Sequence, residues 1–292
     1  MELIVIPNSV DQISFYKECG SKLFILGLED YCINYPSASL EQIKELSNKY
    51  QLFISINKNL FNNELSDLKE KLIELSHLPI MGILFYDLGV LNIVRENNIS
   101  VNLVWHQTHM VTNYNTCNFY YEKGVEYGFL ANEITLDEII EIKKHTNMKL
   151  MVNCFGYPIM SHSRRMLLTN YFKSIQKEKE DRVYHLENMD EDYLLKESKN
   201  GASILYGKLI NGTRPLFDLV ENNIDYCVLD MQEVDQKIGE EVLNKYQYIV
   251  KNYSTITADE KENLIKDMNN LIGDSTNFFY KKTIYKVKKD NK

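Results

Sequence analysis

Two adjacent arginines, Arg164 and Arg165, lie in a short segment that also holds a glycine, a proline and a histidine. The segment runs from Asn153 to Phe172 (NCFGYPIMSHSRRMLLTNYF) and follows an apolar stretch, Lys149 to Val152, that predicts a buried strand. The chain has only five arginines. Two guanidinium groups just past a strand end can clamp a carboxylate or a phosphate. The alternative is a pair of solvated residues in the first turn of a helix.

A histidine and a glutamate directly follow two other predicted strands. His106, in the run Trp105-His106-Gln107, can act as a general acid or base or bind an anion. Glu133 can hold a substrate hydroxyl or form an ion pair with one of the two arginines. The alternatives are a rim histidine bonded to a neighbouring loop and a structural salt bridge. His106 and Glu133 are the residues that the sequence favours for catalysis.

The sequence does not indicate a metal site. His106 and His109 are three residues apart, which suits one helix face, and His162 is a third possible ligand, but no carboxylate motif completes the set. The five cysteines are dispersed without CxxC spacing. This pattern is typical of reduced cytosolic thiols.

The net charge of −8 argues against a broad phosphate-binding face, although it leaves room for a local basic pocket. The N-terminal run MELIVIPNSVD lacks the positive region of a signal peptide. No apolar stretch approaches the roughly 20 residues that span a bilayer. We therefore expect a cytoplasmic protein with no membrane segment.

Eight short apolar runs alternate with amphipathic segments, which predicts strands separated by helices. The predicted strands are Leu3 to Ile6, Leu23 to Leu26, Leu52 to Ile56, Met81 to Phe85, Val101 to Trp105, Tyr127 to Ala131, Lys149 to Val152 and Tyr226 to Leu229. This order favours an α/β fold, a (β/α)8 TIM-like barrel. An open doubly wound sheet is the alternative, but the first loop, Pro7-Asn8-Ser9, lacks the glycine-rich phosphate turn of that fold.

The connection between strands seven and eight is far longer than a βα unit needs. It predicts a small inserted α+β element at about residues 156–224, with strands at Arg182 to Asn188 and at Ser203 to Tyr206. We expect one barrel domain over residues 1–253. A C-terminal helix and tail follow over residues 254–292, with a last strand-like piece from Phe278 to Val287.

Polar residues occupy the positions just after the predicted strands, where barrel enzymes hold their catalytic groups. They are Asn8, Glu29, Asn57, Asp87, His106 with Gln107, Asn132 with Glu133, Asn153 and Asp230. Any barrel rim is polar, so each position alone argues little.

Four segments together resemble the peptidase U32 family, the collagenase-like proteases, in order and spacing. They are Gly82 to Gly89 (GILFYDLG), His106 to Asn113 (HQTHMVTN), Leu130 to Glu138 (LANEITLDE) and Gly156 to Phe172. The resemblance covers about the first 250 residues and is nearest to the short members of Gram-positive bacteria. It implies a TIM-like core and a link to tRNA or quinone hydroxylation, including 5-hydroxyuridine in the wobble position of tRNA.

The chain departs from the family signature at the cysteines that hold an iron–sulfur cluster in longer members. Ile159 and Met166 stand where the first two cysteines of the signature belong, and Cys227 is the only cysteine downstream of Met166. Because such a cluster needs about four thiolates, we expect no cluster and no other cofactor here. Asn132 and Met151 also replace polar family residues.

The resemblance implies a cluster-free subunit of a tRNA hydroxylation system that works with a longer paralogue. It would bind tRNA or a small anionic metabolite, oriented by His106 and Glu133. The expected substrate-binding residues are Arg164, Arg165, Gln107, Asp87, Tyr157, Asn153 and Tyr171, the two tyrosines as stacking platforms. A peptidase or hydrolase and a non-catalytic scaffold for the paralogue are the alternatives.

Overall fold

The computed structural model describes residues 1–188 and 191–281. Its strands, in chain order, are β1 (Glu2–Ile6), β2 (Leu23–Leu28), β3 (Ser37–Ala38), β4 (Gln51–Ile56), β5 (Gly82–Phe85), β6 (Leu103–Trp105), β7 (Tyr127–Phe129), β8 (Lys149–Gly156), β9 (Ile159–Ser163), β10 (Tyr184–Asn188), β11 (Glu191–Ser198), β12 (Gly201–Tyr206), β13 (Ile210–Asn211) and β14 (Tyr226–Asp230).

The α-helices are α1 (Ile13–Glu18), α2 (Leu40–Ser47), α3 (Leu65–Ser76), α4 (Leu88–Glu96), α5 (Tyr114–Glu122), α6 (Leu136–His145), α7 (Leu167–Ser174), α8 (Thr213–Glu221), α9 (Gln236–Asn252) and α10 (Ala258–Ile272). Short 3-10 turns precede α1 and α3.

Eight parallel strands close into a barrel. Around the barrel the order is β1, β2, β4, β5, β6, β7, β8 and β14, and β14 pairs with β1 to complete the circle. Each barrel strand is followed by at least one helix, which confirms the (β/α)8 barrel predicted from the alternating runs. In such a barrel all strand C-termini meet at one end, called the mouth below.

Alternate side chains of each barrel strand point inward and fill the barrel. Phe53 lies edge-on to Tyr127 and Tyr226 there, with ring centroids 5.7 and 6.2 Å apart. The intervening side chains face the surrounding helices, as Trp105 does where it stacks on Tyr120 of α5 at 4.2 Å. Both faces of the strands are therefore buried, as in other parallel sheets.

The inserted element lies between β8 and β14, as predicted. It is helix α7 together with a four-stranded antiparallel sheet in the order β10, β11, β12, β9. The turn between β11 and β12 contacts the loop after β2, where Asn200 Nδ2 donates to the Cys32 carbonyl at 2.8 Å and Lys199 Nζ lies 2.7 Å from Asp30 Oδ1. These contacts fix one edge of the inserted sheet against the barrel mouth.

The C-terminal segment packs back on the barrel shell. Helix α10 contacts α8, α9 and β13, and the buried Asn211 amide donates to Asn269 Oδ1 at 3.0 Å and to the Gly273 carbonyl at 2.7 Å. Residues 277–280 form a turn instead of the strand predicted to begin at Phe278, and the remainder of that predicted piece, beyond residue 281, lies outside the described residues. Within residues 1–188 and 191–281, no helix has the length and apolarity that crossing a membrane requires.

Candidate functional site

Three barrel strands place an inward-facing polar residue at or near their C-terminal end. On each of them, a residue of the inner core is followed two positions later by a polar side chain, because the side chains of a strand alternate between its faces. The pairs are Val104 and His106, Met151 and Asn153, and Val228 and Asp230. The strand period thus brings an imidazole, an amide and a carboxylate together at the mouth.

These three side chains line one cavity of about 310 Å³, a volume near the lower end of small-ligand sites. The other lining residues include amides, aromatic rings, two cations and two further histidines, together with aliphatic and hydroxyl side chains. The most relevant are Asn57, Asn59, Asn132, Tyr35, Tyr86, Phe129, Tyr157, Lys58, Arg164, His109 and His162. A cavity with aromatic walls and several amides is suited to a planar polar ligand.

The ring of His106 is nearly parallel to two aromatic rings of the cavity. Its centroid lies 4.5 Å from that of Phe129 and 6.2 Å from that of Tyr35. Burial among these rings lowers the pKa of His106 to about 4. The ring is therefore neutral near pH 7 and can donate or accept a hydrogen bond, but it does not supply a positive charge.

Three buried polar atoms of the lining have no hydrogen-bond partner within the described chain: His106 Nδ1, Asn153 Oδ1 and His162 Nε2. The other nitrogen of His162 bonds to the Ser203 hydroxyl at 2.8 Å, which orients its ring. Buried polar groups in proteins are nearly always paired. These atoms can therefore bind solvent or a ligand that carries matching donors and acceptors.

Asp230 is the cavity carboxylate. Burial raises its pKa to about 6, although hydrogen bonds from the Gln232 backbone at 3.0 Å and side chain at 3.3 Å oppose this shift. The backbone on the other side is Gly156, with φ +121°, where a Cβ would lie 2.6 Å from the Asp230 carbonyl oxygen. Only glycine adopts this conformation readily, so Gly156 is the residue that lets β8 approach Asp230.

Two cations reach the cavity from its rim. Lys58 follows β4 and is buried, with its ammonium 2.7 Å from Glu64 Oε1. The Arg164 guanidinium lies 3.5 Å above the exposed ring of Phe61, a cation–π arrangement. The Lys58 charge is thus largely balanced by Glu64, whereas Arg164 is held by an aromatic face.

The structure brings His106, Asn153, Tyr157 and Arg164 of the predicted site together in this cavity. Tyr157 directly follows β8, is half-buried, and has a pKa that burial raises. Arg165, one residue after Arg164, is exposed and lies outside the lining.

The structure does not bring Asp87 and Gln107 into the cavity. Asp87 caps α4 by accepting from the Gly89 amide at 2.8 Å, and its second oxygen accepts from the Leu60 amide at 3.0 Å. Gln107 accepts from the Trp105 indole at 3.0 Å and donates to the Tyr86 carbonyl at 2.7 Å. Both side chains hold the loops behind the cavity wall.

Glu133 and Tyr171 also lie outside the lining. Glu133 is 45% exposed and bonds to His109 Nδ1 at 2.9 Å, not to His106. Tyr171 is 58% exposed on α7. Helix α7 binds an anion of its own chain at its N-terminus, since the buried Glu197 carboxylate accepts from the backbone amides of Leu168 and Thr169.

Several lining residues were not singled out from the sequence. Tyr35 and Lys58 come from loops whose path the apolar pattern does not specify. The sequence predicted only rim positions for Asn57, Asn132 and Asp230. The strand period could have predicted that Asn57 and Asp230 face the cavity, because each lies an even number of residues after an inward-facing residue of β4 or β14.

The two positions at which the resemblance implies cluster cysteines carry no thiol in this chain. Ile159 lines the cavity and Met166 precedes α7, and neither has a thiolate to offer. Four of the five cysteines are buried and dispersed over the barrel and its shell. In the part of the chain that the structure describes, no group of three or more His, Cys, Asp and Glu side chains is arranged to hold a metal ion.

The fold and the cavity define a (β/α)8 barrel protein with a polar cavity at its mouth. The model of peptidase family U32 matches residues 25–289, so the chain belongs to that family. The tRNA hydroxylation protein P2 of Bacillus subtilis (strain 168) is 26% identical to it, over 97% of this chain and 99% of that protein. The tRNA hydroxylation protein P1 of the same strain is 24% identical over 58% of this chain, which matches 42% of P1.

Among solved structures, a chitinase from Rhizomucor miehei aligns with a TM-score of 0.42 and 8% identity, over 85% of this chain and 100% of that chain. A score of this size supports no inference.

Proposed function

We propose that this chain is a subunit of a tRNA hydroxylation system and contributes to 5-hydroxyuridine formation. The similarity to tRNA hydroxylation protein P2 extends along nearly the whole of both chains, which favours a shared role over a shared domain. The likeness to P1 covers under half of P1, which is consistent with a longer paralogue as the partner. Such a system operates in the cytoplasm.

The observation that carries the proposal is the content of the cavity. A neutral histidine and an amide with unpartnered buried atoms, His106 Nδ1 and Asn153 Oδ1, lie below a cation, Arg164, at the rim. This order suits a ligand with a planar hydrogen-bonding part and an anionic part, as in a nucleotide of tRNA or a small anionic metabolite. His106 and Asn153 would orient the planar part and Arg164 the anion.

A hydrolase is the competing class, and the described residues offer it little. The Ser203–His162 pair resembles a nucleophile and its base, but Ser203 is only 1% exposed and lies outside the cavity lining. Cys154 is fully buried and its thiol faces the Val152 carbonyl at 3.6 Å. Neither side chain has access to a peptide.

A non-catalytic scaffold for the longer paralogue is the second candidate. It is favoured by Met151, which replaces a family glutamate and belongs to the inner core, and by Asn132, which stands in the cavity where the family usually has an arginine. A scaffold would not depend on the polar atoms of the cavity.

Nucleoside mass spectrometry of tRNA tests the proposal. Deleting the gene should remove 5-hydroxyuridine derivatives, and the wild-type gene should restore them. Asn153→Leu, which keeps the side-chain size but removes the amide, should fail to restore them, while the matched change Asn48→Leu on the outside of the barrel should succeed. Unchanged derivatives in the deletion strain would refute the proposal, and full restoration by Asn153→Leu would favour the scaffold.

We also propose that the chain works without an iron–sulfur cluster, because the cysteine positions of the family signature hold Ile159 and Met166. Protein purified without oxygen should be colourless and contain no stoichiometric iron. A broad absorbance near roughly 400 nm together with bound iron would contradict this part of the proposal.

A further inference from the structure

Residues 157–177, which begin directly after β8, carry a marked positive charge. They contain Arg164, Arg165, Lys173 and Lys177 and no Asp or Glu, whereas the whole chain has a net charge of −8. The four cations are exposed. In an acidic protein, a cationic stretch of this length is the electrostatic signature of an anionic partner.

None of these four cations forms an ion pair with another residue that the structure describes. Cations elsewhere commonly do, as Lys143 does with Asp225 at 2.6 Å and Lys196 with Glu233 at 2.6 Å. Arg164 contributes to the electrostatic field at Glu64 without forming an ion pair with it, and the other three cations likewise form no ion pair with a described carboxylate.

Two carboxylates that bond to this segment or to its neighbours are already engaged, and three more, Glu178, Glu180 and Asp181, follow the segment directly in the chain. Glu197 is buried against the N-terminus of α7, and Glu64 accepts from Lys58 and from the Phe61 amide. Helix α7 itself thus supplies no anion site, and the available positive charge is that of the side chains.

Exposed aromatic rings accompany the charges. Phe61, under the Arg164 guanidinium, is 56% exposed, and Tyr171 on α7 is 58% exposed. Leu167, one turn before Tyr171, is 42% exposed. An exposed ring beside an unpaired cation, as Phe61 is beside Arg164, is a combination with which proteins hold single-stranded RNA, by stacking on bases and pairing with phosphates.

We infer that these residues form an RNA-docking surface, composed of Phe61, Arg164, Arg165, Tyr171, Lys173 and Lys177. It binds a single-stranded loop of RNA, with phosphates on the cations and bases on Phe61 and Tyr171. The inference rests on the proposed function and deepens it. Because Arg164 belongs both to this surface and to the cavity lining, a nucleotide of the docked loop lies next to the cavity entrance.

The extent of the surface distinguishes RNA from a small anion. Arg164 and Lys58 are the cations that line the cavity, and they suffice for one carboxylate or phosphate. Lys173 and Lys177 continue along and beyond α7, an eight-residue helix of about 12 Å. Charges spread over that length match the repeated phosphates of a strand.

Fluorescence anisotropy with a labelled 17-nucleotide tRNA anticodon stem-loop tests the inference on the purified full chain, alone and mixed with its longer paralogue. The double variant Arg165→Ala/Lys173→Ala should bind at least about tenfold more weakly at low salt. The slope of log K against log salt should fall by about 1.4, since each single-strand phosphate contact contributes about 0.7. Tyr171→Ala should weaken binding about fivefold or more without changing that slope.

The matched control is Lys22→Ala/Lys49→Ala, which removes the same charge from two exposed residues before β2 and β4, at the end of the barrel opposite the mouth. It should bind within about twofold of wild type with an unchanged slope. Circular dichroism on all variants should confirm that each is folded.

Three results would overturn the inference. One is wild-type protein that binds the stem-loop no better than the double variant. Another is a control that loses as much affinity as the double variant. The third is a double variant that keeps RNA affinity but no longer binds the paralogue, which would make this a protein-docking surface. Failure of the proposed function is separate, because it appears as unchanged 5-hydroxyuridine derivatives in the deletion strain.

Discussion

The imidazole of His106 lies parallel to the ring of Phe129, with centroids 4.5 Å apart and 17° between their planes. The ring of Tyr35 is also nearly parallel to the imidazole, with centroids 6.2 Å apart and 9° between their planes. The imidazole contacts aromatic rings instead of water, and burial of this kind disfavours the charged, protonated form. The residue that the sequence marked for acid–base chemistry is therefore a neutral hydrogen-bonding group at physiological pH.

Stability should fall as the pH drops from about 6.5 to 4. The unfolded chain protonates His106 near pH 6.5, whereas the folded chain does so only near pH 4. The stabilisation is complete above the unfolded pKa and is lost as the pH falls toward the folded pKa. The difference of about 2.5 corresponds to about 3 kcal/mol.

Urea unfolding between pH 4 and 8 measures this effect. His106→Gln should lose that part of the pH dependence, while His145→Gln, on a side chain 52% exposed on α6, should keep it. Equal pH profiles for wild type and His106→Gln would contradict the buried neutral imidazole.

Asp230→Asn should stabilise the protein at pH 7.5. Because burial raises the pKa of Asp230 to about 6, the folded state disfavours the charged carboxylate. That cost is absent below the pKa of the unfolded chain, near 3.9, and complete above pH 6. The contribution of Asp230 therefore lowers stability as the pH rises, whereas that of His106 raises it. We expect a gain on the order of 1–3 kcal/mol at pH 7.5 that disappears by about pH 4.

The control for this change is Asp274→Asn, at an exposed residue of the C-terminal segment, which should alter stability by less than about 0.5 kcal/mol. Chemical denaturation at pH 7.5 and about pH 4 measures the unfolding free energies of the wild type and the variants. A destabilised Asp230→Asn protein at pH 7.5 would mean that the carboxylate has a cationic partner in solution.

Gly156→Ala should be far more harmful than Gly124→Ala. Both glycines have positive φ, +121° and +80°, but a Cβ on Gly156 would lie 2.6 Å from the Asp230 carbonyl oxygen, whereas one on Gly124 meets nothing within 4 Å. We expect Gly124→Ala to cost about 1 kcal/mol and Gly156→Ala about 3 kcal/mol or more, in thermal or urea unfolding. Similar losses for the two variants would show that β8 can move away from Asp230.

The barrel was predictable because its signals are local. Runs of apolar residues predicted all eight strands, and Ser39 and Thr135 form the capping boxes with Gln42 and Glu138 that their spacing predicted. The inserted sheet was only partly predicted, since β9 (IMSHS) carries few apolar residues and owes its conformation to pairing with β12.

The candidate site was partly predictable for a different reason. Side chains alternate between the two faces of a strand, so a residue just after the strand faces the cavity only if it lies an even number of positions from an inward-facing residue. Trp105 points outward, and Gln107, two positions later, also points outward and bonds to the Trp105 indole. His106, between them, points inward. This alternation can be predicted from the sequence once the inward-facing residues of the strand are known. The directions of the Tyr35 and Lys58 side chains cannot be predicted in this way, because tertiary contacts of their loops determine them.

Arg164→Ala should reduce 5-hydroxyuridine derivatives at least about tenfold in complemented deletion strains, while the melting temperature changes little. The guanidinium is exposed and rests on an exposed ring, Phe61, and such a cation–π contact contributes only about 0.5–1 kcal/mol. Arg164→Lys should rescue only in part, because an ammonium cannot form the bidentate fork that an anion receives from arginine. Arg214→Ala, on α8 beside Glu262, removes the same charge outside the cavity lining and should leave modification unchanged. An unfolded Arg164→Ala protein would make this arginine structural. Normal modification by a folded Arg164→Ala protein would place the anion site elsewhere and favour the scaffold.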